Sequence, residues 1–389
     1  SVSHTRHVDN VLQGTTMWLF ITIAYLMYPH LHGDHSHTVL PFPQGEIIHY
    51  HGYPYEEHEV VTDDGYYLTM QRIPHGKDNP RTPKSVVLLQ HGLALEGSIW
   101  VTNLPNSSLG FILADAGYDV WIGNNRGNSW SRKHKEFEFY HQEYSAYSFH
   151  EMAMYDLPAT INYILQKTGQ EQLYYVAYSQ GTTTGFIAFS SIPELDRKIK
   201  MFFALAPTTT NSHIKTPLVR LFDLPEGLYK YKLQLACVSE RLMWLLNWIS
   251  FISNGISLHA ENINVSNGFL QSRIDVYLSR YPDSTSLKNL LHWRQVIFPD
   301  AFLPQATLFV FQTTPPFYEP ENMKTPLAAW YGGNDWISVP EDVNITLSRI
   351  TNLAYKKYIP EFIHFDFIWG MQAYEQVYRE ILELMEKSA

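Results

Sequence analysis

Hydrophobic residues in this chain form two patterns, short continuous runs and helix-spaced stripes. The continuous runs lie at residues 85–90, 119–122, 173–178, 201–206 and 327–331. None of them alternates with polar residues, which is typical of strands in a parallel sheet that is covered on both faces. Segments with helical spacing lie between the runs. This succession predicts an α/β fold with a mostly parallel central sheet and helices on both faces.

Local sequence signals delimit several elements. Ser148 and Glu151 form a capping box that predicts a long helix ending at Gly169, with a bend at Pro158. A shorter helix is predicted over 108–116. The turn 63–65 predicts a β-hairpin between strands at 59–62 and 66–73. A stripe of apolar residues over 374–385 predicts a final amphipathic helix.

One segment, residues 209–324, breaks the alternation of strands and helices. It is far longer than an ordinary crossover connection. We interpret it as an inserted, largely helical cap over the sheet, between a first part of the core at 46–208 and a last part at 325–389. Its apolar side chains can form a cap core or face an apolar substrate. They include Leu233, Leu235, Met243, Trp244, Leu245, Leu246, Trp248, Ile249, Phe251 and Ile252.

The first apolar block, residues 17–28, is shorter than the roughly 20 residues that span a bilayer. It fits the hydrophobic region of a secretory signal, so we assign residues 1–37 to a leader, with a membrane anchor or a buried helix as alternatives. No transmembrane span is expected after removal of the leader. Sequons at Asn106, Asn264 and Asn344 are glycosylation candidates and agree with passage through the secretory pathway.

Composition excludes some classes of function. The net charge of −10 argues against nucleic-acid binding, and the 45% hydrophobic residues suffice for a large core and a lipid-facing surface. Cys237 is the only cysteine, so no internal disulfide can form, and we expect it to be a buried apolar side chain. The histidines of residues 30–37 are assigned to a flexible leader rather than to a metal site. No cofactor or metal is expected.

Candidate chemistry centres on Ala177-Tyr178-Ser179-Gln180-Gly181, between a predicted strand and a predicted helix. A bend this short places the serine at positive φ and requires small residues two positions away on either side. This small-x-Ser-x-Gly pattern is the nucleophile elbow of α/β-hydrolases. The alternative is a serine in an ordinary βα turn.

A nucleophilic serine needs a base and a carboxylate, which follow it in the order acid, then base, in this fold. Asp335 comes directly after the last buried run, and His364 is the only histidine that follows it. We therefore assign Asp335 and His364 as acid and base, ahead of the competing acids Asp342 and Asp366.

Two backbone N–H groups are predicted to stabilise the developing oxyanion. One belongs to Gln180, directly after the nucleophile, and the other to Leu93, in the loop that follows the run 85–90. His91 is expected to shape this loop. Arg126 and Asp156 are assigned to a structural, buried ion pair.

The chain resembles the acid lipase family of gastric, lysosomal and epidermal lipases over residues 46–387. The resemblance rests on colinear motifs: HGYP at 51–54, LQHGL at 89–93, LGFILADAG at 109–117, RGN at 126–128, SRKHK at 131–135, YDLPA at 155–159, SQGTT at 179–183 and HFDFIW at 364–369. It departs from the family at Ala177 and Tyr178, where Gly and His are usual. It also lacks the family's cap disulfide.

This resemblance implies a carboxylic ester hydrolase that acts on triacylglycerols or cholesteryl esters at a lipid-water interface, at acidic pH, as a secreted or lysosomal glycoprotein. It places the nucleophile, acid and base on Ser179, Asp335 and His364, and the oxyanion donors on Leu93 and Gln180. A catalytically weak lipid-binding relative and an esterase for small soluble esters are the alternatives.

Overall fold

The computed structural model describes residues 44–77, 85–209, 212–215, 276–277, 280–297 and 318–388. The strands are β1 (Glu56–Val61), β2 (Tyr66–Ile73), β3 (Val86–Gln90), β4 (Asp119–Ile122), β5 (Lys133–His134), β6 (Leu173–Tyr178), β7 (Ile199–Leu205), β8 (Leu327–Gly332) and β9 (Leu353–Ile359). They form one sheet in the order β1-β2-β4-β3-β6-β7-β8-β9, with β5 paired to β2. From β4 to β9 all neighbours are parallel, whereas β2 is antiparallel to its three partners.

Helices cover both faces of this sheet, as predicted. The helices are α1 (Gln44–Tyr50), α2 (Leu109–Asp115), α3 (Phe149–Glu151), α4 (Leu157–Thr168), α5 (Gln180–Ser191), α6 (Pro193–Asp196), α7 (Leu287–Ile297), α8 (Pro340–Arg349), α9 (Asp366–Trp369) and α10 (Arg379–Lys387). Alternate residues of β3 enter two separate cores: Val87 and Leu89 lie in one with α2 and α10, and Val86 and Leu88 lie in the other with α4, α5 and α8.

The predicted long helix over 148–169 has its expected ends but an irregular middle. The capping box of Ser148 and Glu151 is present, and Gly169 ends α4 with φ 69°. A π-helical turn, Met152–Asp156, separates α3 from α4. It ends two residues before Pro158, whose ring would clash with a carbonyl of the preceding turn in a regular α-helix.

The predicted hairpin is also present, with β1 beginning at Glu56 rather than at residue 59 and Gly65 at φ 98° in the turn. By contrast, β9 was not predicted from the sequence. It is an edge strand, so its exposed and partly exposed residues alternate. It also carries two charged residues, Lys356 and Lys357. The continuous-run criterion finds buried central strands and misses an edge strand of this kind.

Several predictions concern residues outside the described ranges, namely the leader 1–37 with its histidines, Cys237, Asn264 and most of 209–324. The boundaries of the cap stay a prediction; the described part of that segment includes α7. In the portion of the chain that the structure describes, every helix is too short or too polar to span a bilayer.

Candidate active site

The turn between β6 and α5 is a strained strand-to-helix bend. Ser179 has φ 52° and ψ −123°, a conformation that residues other than glycine rarely adopt. A Cβ atom at Gly181 would lie 2.8 Å from the backbone oxygens of Gln90 and His91. The close approach of β3 to the start of α5 therefore requires glycine there. These features confirm the predicted elbow and exclude an ordinary βα turn.

Three side chains from distant parts of the chain meet at the end of the sheet. His364 Nε2 lies 2.9 Å from Ser179 Oγ, and His364 Nδ1 lies 2.8 Å from Asp335 Oδ2. Asp335 follows β8, and His364 lies in the loop between β9 and α9. All three are buried, with exposed fractions of 6% for Ser179, 1% for Asp335 and 4% for His364. The structure thus brings together the three predicted residues; their catalytic roles stay a prediction.

The Asp335 carboxylate is fixed from both sides. Its Oδ1 accepts hydrogen bonds from the backbone N–H groups of Ile337 and Ser338, at 2.9 and 2.8 Å. Its Oδ2 faces His364 Nδ1, which must carry the hydrogen because a carboxylate only accepts. His364 Nε2 is then the acceptor for the Ser179 hydroxyl, which is the tautomer that a general base requires.

The two competing carboxylates have other partners. Asp342 accepts from the backbone N–H of His213 at 3.0 Å and lies 2.7 Å from its Nδ1. Asp366 accepts from the N–H of Ile363 at 2.9 Å, and burial raises the pKa of its carboxyl to about 6. The lower rank given to both acids agrees with these contacts.

The predicted oxyanion donors lie on two segments that converge on Ser179. Gln180 is the first residue of α5, and the first N–H groups of a helix have no acceptor within it. Leu93 lies in the loop after β3, and a Cβ at the neighbouring Gly92 would be 2.9 Å from Ser179 Cβ. Ala94, in the same loop, has φ 55°. Both segments therefore border Ser179.

His91 shapes the loop after β3, as expected. Its Nε2 accepts from the backbone N–H of Asn125 at 3.0 Å, so its Nδ1 carries the hydrogen that is donated to the carbonyl of Gly92 at 2.8 Å. Burial lowers the pKa of His91 to about 4. The imidazole therefore stays neutral, and the loop keeps this arrangement, in mildly acidic solution.

Arg126 and Asp156 form the predicted buried ion pair, with Nε of Arg126 2.8 Å from Oδ1 of Asp156. Asp64, in the hairpin turn, also accepts from Arg126 at 2.6 and 2.9 Å. The ring of Tyr66 lies 3.9 Å from the guanidinium carbon. The cluster joins the hairpin to the π-helical turn, which is a structural role.

Sequence reasoning missed three side chains at this site. The Tyr178 hydroxyl donates to the backbone carbonyl of His364. Asn289 and Trp293, both on α7, donate to the side-chain oxygen of Gln180. A tyrosine at position 178, where the family usually has histidine, was a sequence signal for the contact of Tyr178. No local motif marks the other two, because they lie more than 100 residues from Gln180.

Two of the three sequons lie within the described ranges. Asn106 is exposed in the 3₁₀ turn Pro105–Ser107, and Asn344 is exposed in α8, where its side-chain oxygen accepts from Tyr331 at 3.1 Å. Their glycosylation stays a prediction. In the same ranges, no group of three or more His, Cys, Asp or Glu side chains is arranged to hold a metal ion.

Two family models match this chain. The model described as a partial alpha/beta-hydrolase lipase region matches residues 45–104. The model of the alpha/beta hydrolase fold matches residues 85–242, which include the elbow.

Relatives of this chain are lipases. Lipase member M of Homo sapiens is 46% identical over 394 residues, which cover 95% of this chain and 93% of that protein. Lysosomal acid lipase/cholesteryl ester hydrolase of Homo sapiens is 47% identical, over 88% of this chain and 90% of that protein. Gastric triacylglycerol lipase of Homo sapiens is 41% identical, over 95% of this chain and 99% of that protein.

Solved structures agree on the fold. An epoxide hydrolase mutant of Vigna radiata superposes with a TM-score of 0.52 at 15% sequence identity, covering 86% of this chain and 99% of that one. Identity this low speaks for the fold alone. The three lipases above are similar to this chain over nearly its whole length, at 41–47% identity. The chain therefore belongs to the acid lipase family of α/β-hydrolases.

Proposed function

We propose that this protein hydrolyses carboxylic ester bonds of neutral lipids through an acyl-enzyme on Ser179. The observation that carries the proposal is the continuous chain of hydrogen bonds from Ser179 through His364 to Asp335, at 2.9 and 2.8 Å, on a strained elbow. A serine held in this way is activated for attack on an ester carbonyl.

In the acylation step, Ser179 Oγ forms a bond to the ester carbonyl carbon while its proton passes to His364 Nε2. The carbonyl oxygen becomes an oxyanion that accepts hydrogen bonds from the N–H groups of Leu93 and Gln180. His364 then gives the proton to the departing alcohol. A water molecule then attacks the acyl-enzyme in the same way: His364 takes a proton from the water and returns it to Ser179 Oγ as the acyl bond breaks and the fatty acid is released.

Asp335 supports both steps by electrostatics. It holds the Nδ1–H tautomer of His364 and stabilises the imidazolium that forms when Nε2 takes the proton. The backbone N–H groups of Ile337 and Ser338 keep its other oxygen in place, so the carboxylate does not need to rotate during the reaction.

Neutral lipid esters are the substrate class that the relatives favour. Two of them are named for triacylglycerols and cholesteryl esters, at 41% and 47% identity over most of the chain. The apolar residues of segment 209–324 supply side chains suited to such substrates at a lipid-water interface.

An acidic working pH and a route through the secretory pathway, to the outside or to the lysosome, are part of the same proposal. The neutral His91 supports it, because burial holds its pKa near 4 and so the loop that carries Leu93 does not gain a charge at mildly acidic pH. The exposed sequons at Asn106 and Asn344 agree with this route.

Two measurements test the proposal. A fluorophosphonate probe is expected to label the folded wild-type protein and not Ser179→Ala. Emulsified long-chain triacylglycerols and cholesteryl esters, compared with short soluble esters between pH 4 and 8, are expected to be the better substrates, with Ser179→Ala inactive throughout. Failure of the probe to react at any pH would instead support a lipid-binding relative. A preference for short soluble esters would support a small-ester esterase.

A further inference from the structure

The side chain of Gln180 is held by a helix that lies far from it in the sequence. Asn289 Nδ2 donates to Gln180 Oε1 at 2.9 Å, and Trp293 Nε1 donates to the same oxygen at 2.7 Å. All three side chains are buried. An indole N–H can only donate, so the oxygen of the Gln180 amide must face Trp293, and the orientation of the amide is determined.

The donors themselves are fixed on α7. They are four residues apart and therefore lie on the same face of that helix. Asn289 Oδ1 accepts from the backbone N–H of Phe149 at 2.8 Å, at the start of α3. Its Nδ2 also donates to Thr285 at 3.0 Å. Asn289 thus joins α3 and α7 to the residue that follows the nucleophile.

These contacts hold Gln180, whose backbone N–H is one of the two assigned oxyanion donors. Gln180 is the first residue of α5 and is the residue whose N–H is assigned to the oxyanion. A side chain anchored at its far end restricts the rotation of the peptide unit that carries it. An oxyanion donor is effective only when its direction is set before the reaction, since small misplacements weaken the stabilisation of the transition state.

We propose that Asn289 and Trp293 are positioning residues, which hold the Gln180 N–H in the direction that the oxyanion requires. The proposal rests on the proposed function. It also joins segment 209–324 to the reaction, because α7 lies within that segment. Movement of α7 would then change the rate of the chemical step and not only access to the site.

The test compares Trp293→Phe with a matched control, Trp121→Phe. Trp121 is also fully buried, and its Nε1 has no hydrogen-bond partner among the described residues. Both variants lose the same atoms from a buried ring, and only Trp293→Phe loses a donor to Gln180. Gln180→Met, which removes the acceptor, and the double variant Gln180→Met/Trp293→Phe complete the set.

For Trp293→Phe we expect kcat on a soluble short-chain ester to fall about tenfold, with KM little changed, because the lost stabilisation arises only in the transition state. The inhibition constant of an alkyl trifluoromethyl ketone, whose adduct with Ser179 carries an oxyanion, should rise by about the same factor. Trp121→Phe should match the wild type in both. Gln180→Met should show the same loss, and the double variant should lose no more than either single variant.

Three results would overturn the proposal: a Trp293→Phe variant as active as Trp121→Phe, a loss confined to KM, or additive losses in the double variant. Thermal unfolding of each variant identifies a folding defect, and Gln180→Met supplies the test if Trp293→Phe does not fold. A wild-type protein without esterase activity would contradict the proposed function itself, which is a separate outcome.

Discussion

Tyr178, the residue before Ser179, forms a hydrogen bond with His364, the residue assigned as the base. Its hydroxyl donates to the backbone carbonyl of His364 at 3.0 Å, and the two rings lie 5.1 Å apart at an angle of 39°. The loop that carries His364 is therefore hydrogen-bonded to the end of β6, the strand that directly precedes Ser179. Because this contact links the two segments, the distance between Ser179 and His364 does not depend on the loop alone.

Replacing Tyr178 by Phe tests this attachment. The ring stays and the hydroxyl is lost, which removes a buried hydrogen bond with a net contribution of about 1 kcal/mol. We expect kcat to fall about fivefold if that free energy is lost from the active arrangement. Tyr174→Phe is the control, since the Tyr174 hydroxyl also donates to a backbone carbonyl at 3.0 Å, that of Met385. Equal kcat values for the two variants would contradict the prediction.

Asp335→Asn tests the tautomer of His364. The amide keeps the size of the side chain but can present N–H to Nδ1, which would place the histidine hydrogen on Nε2 and remove the base. We expect kcat to fall by about three to four orders of magnitude with a small change in KM. Asp342→Asn is the control, because Asp342 is equally buried and is bonded to His213. We would measure kcat and KM of both variants by steady-state kinetics on a soluble ester. Comparable losses of kcat in both variants would argue against Asp335 as the acid.

Gly181→Ala tests the close approach of β3 to the elbow. The new Cβ would lie 2.8 Å from two backbone oxygens, so backbone must move. We expect a destabilisation of about 1–3 kcal/mol. We also expect a loss of activity, because the displaced backbone of Gln90 and His91 leads directly into the loop that carries Leu93. Gly169→Ala is the control: its φ is 69°, and nothing lies within 4 Å of the added carbon. It should cost about 1 kcal/mol and leave activity unchanged. Urea unfolding and esterase assays measure both.

The buried histidines His91 and His292 should each lower the stability of the protein as the pH falls from 6.5 to 4. Burial lowers the pKa values of His91 and His292 to about 4. The unfolded chain, with ordinary histidine pKa values, takes up protons that the folded protein excludes in this range. Each histidine then lowers the free energy of unfolding by up to about 3 kcal/mol, and this loss is complete below pH 4. Asp366 acts in the opposite direction, since its pKa is raised to about 6 and it binds a proton first in the folded state.

His292→Gln isolates one of these contributions. Urea unfolding at pH 7 and pH 4.5 should show a smaller loss of stability in this variant than in the wild type, since one buried histidine no longer titrates. His49→Gln, at an exposed position in α1, is the control and should follow the wild type. A pH dependence of His292→Gln identical to that of the wild type would contradict the assignment.

Much of the fold follows from local patterns. The continuous runs predicted the central strands β3, β4, β6, β7 and β8, because strands that are buried on both faces have no polar side. The edge strand β9 was missed, since Lys356, Lys357 and Tyr358 interrupt its apolar residues. The π-helical turn before Pro158 was also missed; the sequence predicted a bend there but not its form.

The candidate site also has a part that the sequence predicted and a part that it did not. Ser179 and Asp335 could be predicted because each follows a predicted strand, and His364 because it is the only histidine after Asp335 and the fold restricts the order of the three groups along the chain. The contacts of Tyr178 with His364, and of Asn289 and Trp293 with Gln180, could not be predicted. They depend on which side chains meet after the chain has folded.

Residue size, hydrophobicity and neighbours along the chain were enough to predict the type of sheet, the strained bend at Ser179 and the chain order of Ser179, Asp335 and His364. The folded chain alone shows that His364 lies within hydrogen-bond distance of both Ser179 and Asp335, and that α7 holds the side chain of Gln180. Hydrogen bonds act over about 3 Å, whereas packing brings together residues 29 to 185 positions apart.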